Sequence, residues 1–196
     1  MLAFTERLHR ALDLAATAHN GQARKDPGLA IPYISHVCGV AFLLAAHGFE
    51  EDVVVAGLLH DLLEDSPRYE PELRAFGDRV YGIVRQVSEV AKNVPWVQRK
   101  VRYANALRDA WPEAKAVSCA DKIHNMQSIL LSIERGQPVW PVLTNKNPLE
   151  QVQRLVWLRE ALAEGWDHPI LRTYDATLAR LAPEARKAAR AARTPP

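Results

Sequence analysis

Cysteine is scarce: Cys38 and Cys119 are the only two in the chain. They give no disulfide framework, so a reducing cytosol is the default location. No run approaches the ~20 consecutive apolar residues of a membrane span. The opening MLAFTERLHR lacks the pattern of a secretory leader. Charge of one sign is missing as well. Lys and Arg number 25 against 23 Asp and Glu, a formal net charge of +2. That balance points to neither nucleic acid nor a membrane as partner, and its bias toward an anionic small molecule is faint. Period-two alternation, the mark of a strand, is absent over strand length, and no repeat of roughly 34 or 40 residues recurs.

The pattern that is present is helical. The 196 residues are 48% apolar and 24% charged, which fits one domain with a substantial core. Apolar spacing and stop signals place helices over about 5–19, 33–47, 52–65, 70–76, 78–91, 97–110, 113–135, 149–164 and 169–181. Asn20-Gly21, His47-Gly48, Ser66-Pro67, Pro95, Trp111-Pro112 and Gly136 end six of them. Residues 137–148 hold Pro138, Pro141, Pro148, Asn145 and Asn147 and read as a loop with the composition of a flap. The expected fold class is all-α, one domain of about eight or more helices over 1–181, with a basic, Ala-rich tail over 182–196. Self-association is left open.

One stretch, Ala56–Asp65 (AGLLHDLLED), stands apart. Val53, Val54, Val55, Ala56, Leu58 and Leu59 lead straight into His60, Asp61, Glu64 and Asp65. On a continuous helix those four cover an arc of roughly 140°, with Leu62 and Leu63 facing away and Gly57 leaving room beside them. So apolar a helix is expected to be buried, and buried carboxylates need a partner or a metal.

Two further helices carry polar residues in apolar settings. His36 lies in YISHVCGVAFLLAA, where it reads either as a core histidine bonded to a carbonyl or as a ligand. In AKAVSCADKIHNMQSILL, the residues Ser118, Asp121, Asn125, Ser128 and Ser132 recur at helical spacing and draw one narrow polar line. That line reads as a cleft wall or as a thin exposed stripe. The His60-Asp61 pair likewise reads as a ligand pair or as a helix end meeting solvent. His36, His60, Asp61 and Asp121 together make a mixed nitrogen and oxygen set, which suits Mn²⁺, Fe²⁺ or Zn²⁺ better than Ca²⁺. Four such ligands on an octahedral ion leave positions for water and substrate. Glu64 and Asp65, one turn on, can handle that water or bridge to Arg68 or Arg24. His124 is expected behind the ligands or at the surface, and Cys38 and Cys119 as small core residues.

The order His36, His60-Asp61, Asp121 resembles the H…HD…D pattern of the HD phosphohydrolase superfamily. AHNGQARKDPGLAIPYISH, LLHDLLEDS and CADKIHNMQS resemble, in order, three signatures of the RelA/SpoT-type alarmone hydrolases. The resemblance covers roughly residues 5–165 and implies a stand-alone HD-domain helical bundle acting as a small alarmone hydrolase in the cytoplasm. It implies that His36, His60, Asp61 and Asp121 bind Mn²⁺ and that Glu64 and Asp65 activate the nucleophilic water. It further implies that Arg24 and Lys25 lie against the purine, that Asn125 contacts the ribose and that Ser128 lines the nucleoside pocket. The implied reaction is metal-dependent hydrolysis of the 3′-diphosphate of guanosine tetra- or pentaphosphate to GDP or GTP and pyrophosphate. Lys146 in the 137–148 loop is a further candidate for neutralising the anion. Rival readings are an HD phosphohydrolase acting on the 2′-phosphate of NADPH or on a deoxynucleotide, a silent nucleotide-sensing HD domain, and a helical interaction module. Val37 stands where relatives often have proline, and Ser128 where threonine is common.

Overall fold

The computed structural model describes residues 3–89 and 94–192. Among them are ten α-helices: α1 (Glu6–Ala18), α2 (Ile34–Ala46), α3 (Glu51–Leu59), α4 (Leu62–Asp65), α5 (Glu70–Arg74), α6 (Asp78–Val87), α7 (Trp96–Arg108), α8 (Pro112–Glu134), α9 (Pro148–Ala163) and α10 (Ile170–Ala191). Two 3₁₀ turns, Pro67–Tyr69 and Trp140–Val142, complete them. The only β feature among the described residues is an isolated bridge between Ala23 and Pro32. The all-α expectation holds. No helix is long and apolar enough to cross a membrane among the described residues.

α8 is the axis. It packs against α2, α3, α6, α9 and α10, and Ala116, Val117, Cys119, Ala120 and Ile123 along it are fully buried. Small residues let its neighbours come close. α2 and α3 meet at Gly57, where a Cβ would sit 2.5 Å from Leu44 Cδ1. Gly57 therefore does not open space beside the polar cluster, as its position on the helix implied. Leu44 of α2 fills that space. Cys119 is buried and Cys38 partly buried, both as free thiols.

Local chemistry sets the ends. Thr5 caps α1 by accepting from the Leu8 amide at 3.1 Å, and Gly21, at φ 76°, supplies the left-handed turn beyond it. Asn147 caps α9 through the Leu149 and Glu150 amides.

Three boundaries differ from the sequence reading. The helix expected over 52–65 is broken into α3 and α4 at His60-Asp61, because the His60 ring turns back to the Gly57 carbonyl and the Asp61 carbonyl starts a new turn. α6 ends at Val87, where Ser88 is already extended, and the expected end near 91 lies outside the described residues. α10 runs through Pro183 to Ala191 instead of stopping near 181. Proline removes one hydrogen bond there, but Leu181 and Ala185, fully buried on either side, hold the helix against the core. Residues 193–196 of the expected tail lie outside the described residues.

Candidate metal centre and cleft

The break between α3 and α4 brings His60 and Asp61 to the same point as His36 of α2 and Asp121 of α8. His36, His60 and Asp121 are buried, and each offers a ligand atom within 4.8 Å of the others. His36 Nε2 lies 3.3 Å from Asp121 Oδ1 and 3.6 Å from Asp61 Oδ2. His60 Nε2 lies 3.0 Å from Asp61 Oδ2 and 4.0 Å from Asp121 Oδ1. Asp61 stands at the edge of the buried trio, its side chain 17% exposed, and its Oδ2 also accepts from the Tyr33 hydroxyl at 2.5 Å.

The far side of each imidazole is engaged. His60 Nδ1 lies 2.8 Å from the Gly57 carbonyl. That carbonyl can only accept, so Nδ1 carries a proton and Nε2 is the nitrogen left to face the carboxylates. His60 Nε2 is buried and has no hydrogen-bond partner. His36 Nδ1 is 3.0 Å from His124 Nδ1. Burial first, and His36 second, push His124 down to about 4, making it a neutral acceptor for a His36 proton. The His124 ring fits only because residue 39 is glycine: a Cβ there would meet His124 Cδ2 at 2.2 Å.

These residues fit a divalent cation. An orphaned, buried imidazole nitrogen faces two carboxylates, and both donor types are those a transition metal takes. The electrostatics agree. Burial opposes ionisation of both acids, yet Lys122 and the histidines hold Asp121 well below the carboxylate range, and His60 does the same for Asp61. Burial also opposes charge on His60, but the two carboxylates outweigh it and push that ring up to about 9. The pair calls for positive charge between them.

This inner cavity, about 130 Å³, also contains Glu64. Glu64 Oε1 accepts from the Glu89 amide at 2.7 Å, and burial pushes its carboxyl up to about 7. Arg24, Tyr33, Lys100, Lys122 and Asn125 line both this cavity and a larger cleft of about 560 Å³. The cleft carries Arg24, Lys25, Lys100, Lys122, Arg135 and Arg154 against two acids, Asp26 and Asp65. A cationic cleft of that size beside a cation-type donor set can hold an anionic ligand with its reacting end inward.

Residues 11–144 match the HD domain family. The chain belongs to that family. The guanosine-3′,5′-bis(diphosphate) 3′-pyrophosphohydrolases MESH1 of Mus musculus and Homo sapiens are each 37% identical to it over 126 residues, 63% of this chain and 69% of theirs. The structure of a metazoan ortholog of SpoT that hydrolyses ppGpp matches with a TM-score of 0.74 and 25% identity, over 93% of this chain and 99% of that one. The structure of lmo0812 from Listeria monocytogenes matches with a TM-score of 0.67 and 31% identity, over 74% and 97%.

In this HD domain the expected site residues separate into two places. His36, His60, Asp61, Asp121 and Glu64 line the inner cavity. Asp65 does not: it is exposed, lines the cleft and accepts from Gln22 Nε2 at 2.8 Å. Arg24 donates to Asn125 Oδ1 at 2.6 Å and lies 5.4 Å over the Tyr33 ring. Lys25 donates to Thr144 Oγ1 at 2.6 Å, across the cleft mouth. The polar line on α8 is continuous. Tyr103 donates to Ser118 at 2.8 Å, Asn125 to Asp121, Ser128 to the His124 carbonyl, and Ser132 to Asp26 at 2.7 Å. Lys146 is exposed and outside the cleft lining. Asn145 and Asn147 fold that turn onto the start of α9, so residue 146 sits on its outer bend. Sequence reasoning missed Tyr33, Lys100, Lys122 and Arg154. Lys122 and Tyr33 stood beside or near proposed ligands and could have been found. Lys100 and Arg154 carry no local signal.

Proposed function

We propose that this protein hydrolyses the 3′-diphosphate of guanosine tetra- or pentaphosphate, with water as co-reactant, to GDP or GTP and pyrophosphate. The carrying observation is the junction of the two spaces: a buried histidine-carboxylate centre opens directly onto a cleft with six cations and two acids. The MESH1 relatives, named for this reaction, support the choice of substrate.

His36, His60, Asp61 and Asp121 would hold the cation, with Mn²⁺ proposed as the ion. When bound, it supplies Lewis acidity toward phosphoryl oxygen and water. The chain's own groups do the rest. Glu64, inside the cavity and held by the Glu89 amide, accepts the proton of the attacking water. Asp65, at the cleft side, orients that water or the ribose-bound phosphate. Arg24 lies against the purine, its guanidinium already seated over one aromatic ring. Lys25 closes the mouth, Asn125 meets the ribose, and Ser128 lines the nucleoside pocket. Tyr33 holds Asp61 in place through its hydroxyl.

The test is to incubate the purified protein with Mn²⁺ and ppGpp and measure pyrophosphate. Release of pyrophosphate with GDP is expected. No release, together with turnover of NADPH or a deoxynucleotide, would overturn the substrate while leaving the centre intact.

A further inference from the structure

The inner cavity has a cationic wall that the mechanism above does not use. Lys100 of α7 lines the inner cavity, the cleft and the groove between α7 and α9, and is the one residue common to all three. Its ammonium is paired with Glu89 Oε1, and that side chain is 20% exposed. Lys122 of α8 pairs with Asp121 Oδ2 and is 12% exposed. Arg154 of α9 flanks them, bonded to the neutral Gln151 amide at 3.3 Å, with its Nε buried and unpartnered.

The donor count exceeds what the fold uses. An ammonium has three N–H donors. Among the described residues Lys100 and Lys122 each make one hydrogen bond, and Arg154 makes no ion pair. One carboxylate on each lysine accounts for its burial, and the remaining donors face the cavity that Asp61 and Glu64 also line. Asp121, moreover, shares its charge with the proposed cation. In the inner cavity Arg24, Lys100 and Lys122 stand against Asp61, Glu64, Glu89 and Asp121, so a bound divalent cation would tip the balance of these groups to positive beside the reacting end of the substrate.

We propose that Lys100 and Lys122 form a subsite for the outer phosphoryl group of the scissile diphosphate, so that this site selects a diphosphate over a monophosphate. The inference rests on the pyrophosphohydrolase reading. A diphosphate carries more charge and more acceptor oxygens than a monophosphate. Its inner phosphoryl group meets the histidine-carboxylate centre, and its outer one reaches the lysines. The same contacts hold pyrophosphate after cleavage. Lys100, in reach of all three spaces, is the specificity determinant, and Lys122 couples the subsite to the centre through Asp121.

The test is calorimetry on the Mn²⁺-loaded protein with inorganic pyrophosphate and orthophosphate as probes. The wild type is expected to prefer pyrophosphate by more than tenfold in Kd. Lys100→Met should cut that preference about tenfold, with Mn²⁺ affinity by electron paramagnetic resonance unchanged, and Lys100→Arg should retain it. Removing Lys100 alone leaves the largely buried Glu89 with only a 3.8 Å contact to Arg99 among the described residues, so Lys100→Met/Glu89→Gln provides a variant in which that carboxylate charge is removed as well. A wild-type preference that survives intact in the double variant overturns the subsite, as does a wild type with no preference. Failure of the underlying reading looks different: the wild type then releases no pyrophosphate from ppGpp, whatever the calorimetric ratio.

Discussion

The inner cavity and the outer cleft share a wall but are built on different principles. The inner donors come from three helix segments, are nearly all buried, and hold one another through contacts of 3.0–4.0 Å. Each is held from behind, His60 by the Gly57 carbonyl, His36 by His124, Asp61 by Tyr33 and Asp121 by Asn125 and Lys122. The cleft instead draws on the 22–33 loop, α7, α8, α9 and the 137–148 loop, and most of its groups are partly or fully exposed, with Ser132, Val139 and Gln151 buried at its floor. They are set by single long-range bonds such as Lys25 to Thr144 and Ser132 to Asp26. A rigid, desolvated constellation suits chemistry, because its dipoles need no rearrangement in the transition state. A cleft of adjustable cations suits recognition. Changes inside are therefore expected to fall on kcat, and changes outside on KM.

His60→Ala probes the division hardest. It removes a buried imidazole that is held by one backbone hydrogen bond through Nδ1 and turns its Nε2 to the two carboxylates. Loss of metal by elemental analysis is expected, with kcat reduced ~10³-fold or more. The Kd of a non-hydrolysable nucleotide should move only a fewfold. A nucleotide affinity that collapses with the metal would make the two regions one unit. Glu64→Gln comes next. It should retain the metal and lose ~10²-fold or more in kcat. Glu64 must be ionised to accept a proton, so activity falls as pH drops through its pKa. Burial puts that value at about 7, and positive charge in the centre pulls it lower. The acid limb of kcat should have its midpoint below 7 in the loaded protein and be absent from Glu64→Gln.

The same division explains what the sequence made legible. His36, His60, Asp61 and Asp121 could be named because each interrupts an apolar helical pattern, and a buried polar group on such a face must meet another. Their convergence required only that the helices pack. The break at His60-Asp61 was not legible, since it depends on a ring turning back to its own helix. Gly57 was misread because its neighbour, Leu44, comes from a helix ten or more residues earlier in the chain. Lys100 and Arg154 were invisible for the opposite reason from the ligands: on amphipathic helices basic residues are ordinary, and only tertiary packing brings α7 and α9 to one wall. Asp65 shares its motif and its helix turn with Glu64, yet consecutive residues on a helix diverge by about 100°, which places Asp65 outside.

Two smaller effects sharpen the cleft side. Arg24→Ala removes a charged hydrogen bond to Asn125 and the cation over Tyr33. Such a bond contributes about 1.5 kcal/mol or more when desolvated, and partial exposure reduces it here. KM should rise about tenfold, with kcat within a fewfold, measured by steady-state kinetics.

Ser128→Ala should have the smallest effect. Its hydroxyl proton is committed to the His124 carbonyl at 2.9 Å, so it offers a ligand only lone pairs. A neutral hydrogen bond of that kind is worth about 0.5–1.5 kcal/mol, so KM should rise roughly two- to tenfold with kcat unchanged. Ser128→Thr keeps the oxygen and should stay within about twofold of the wild type. Ser128 also lies one helical turn from His124, whose Nδ1 supports His36. A fall in kcat in the alanine variant would therefore show that the cleft wall steers the ligand imidazole, and that the boundary between recognition and chemistry runs through α8 rather than beside it.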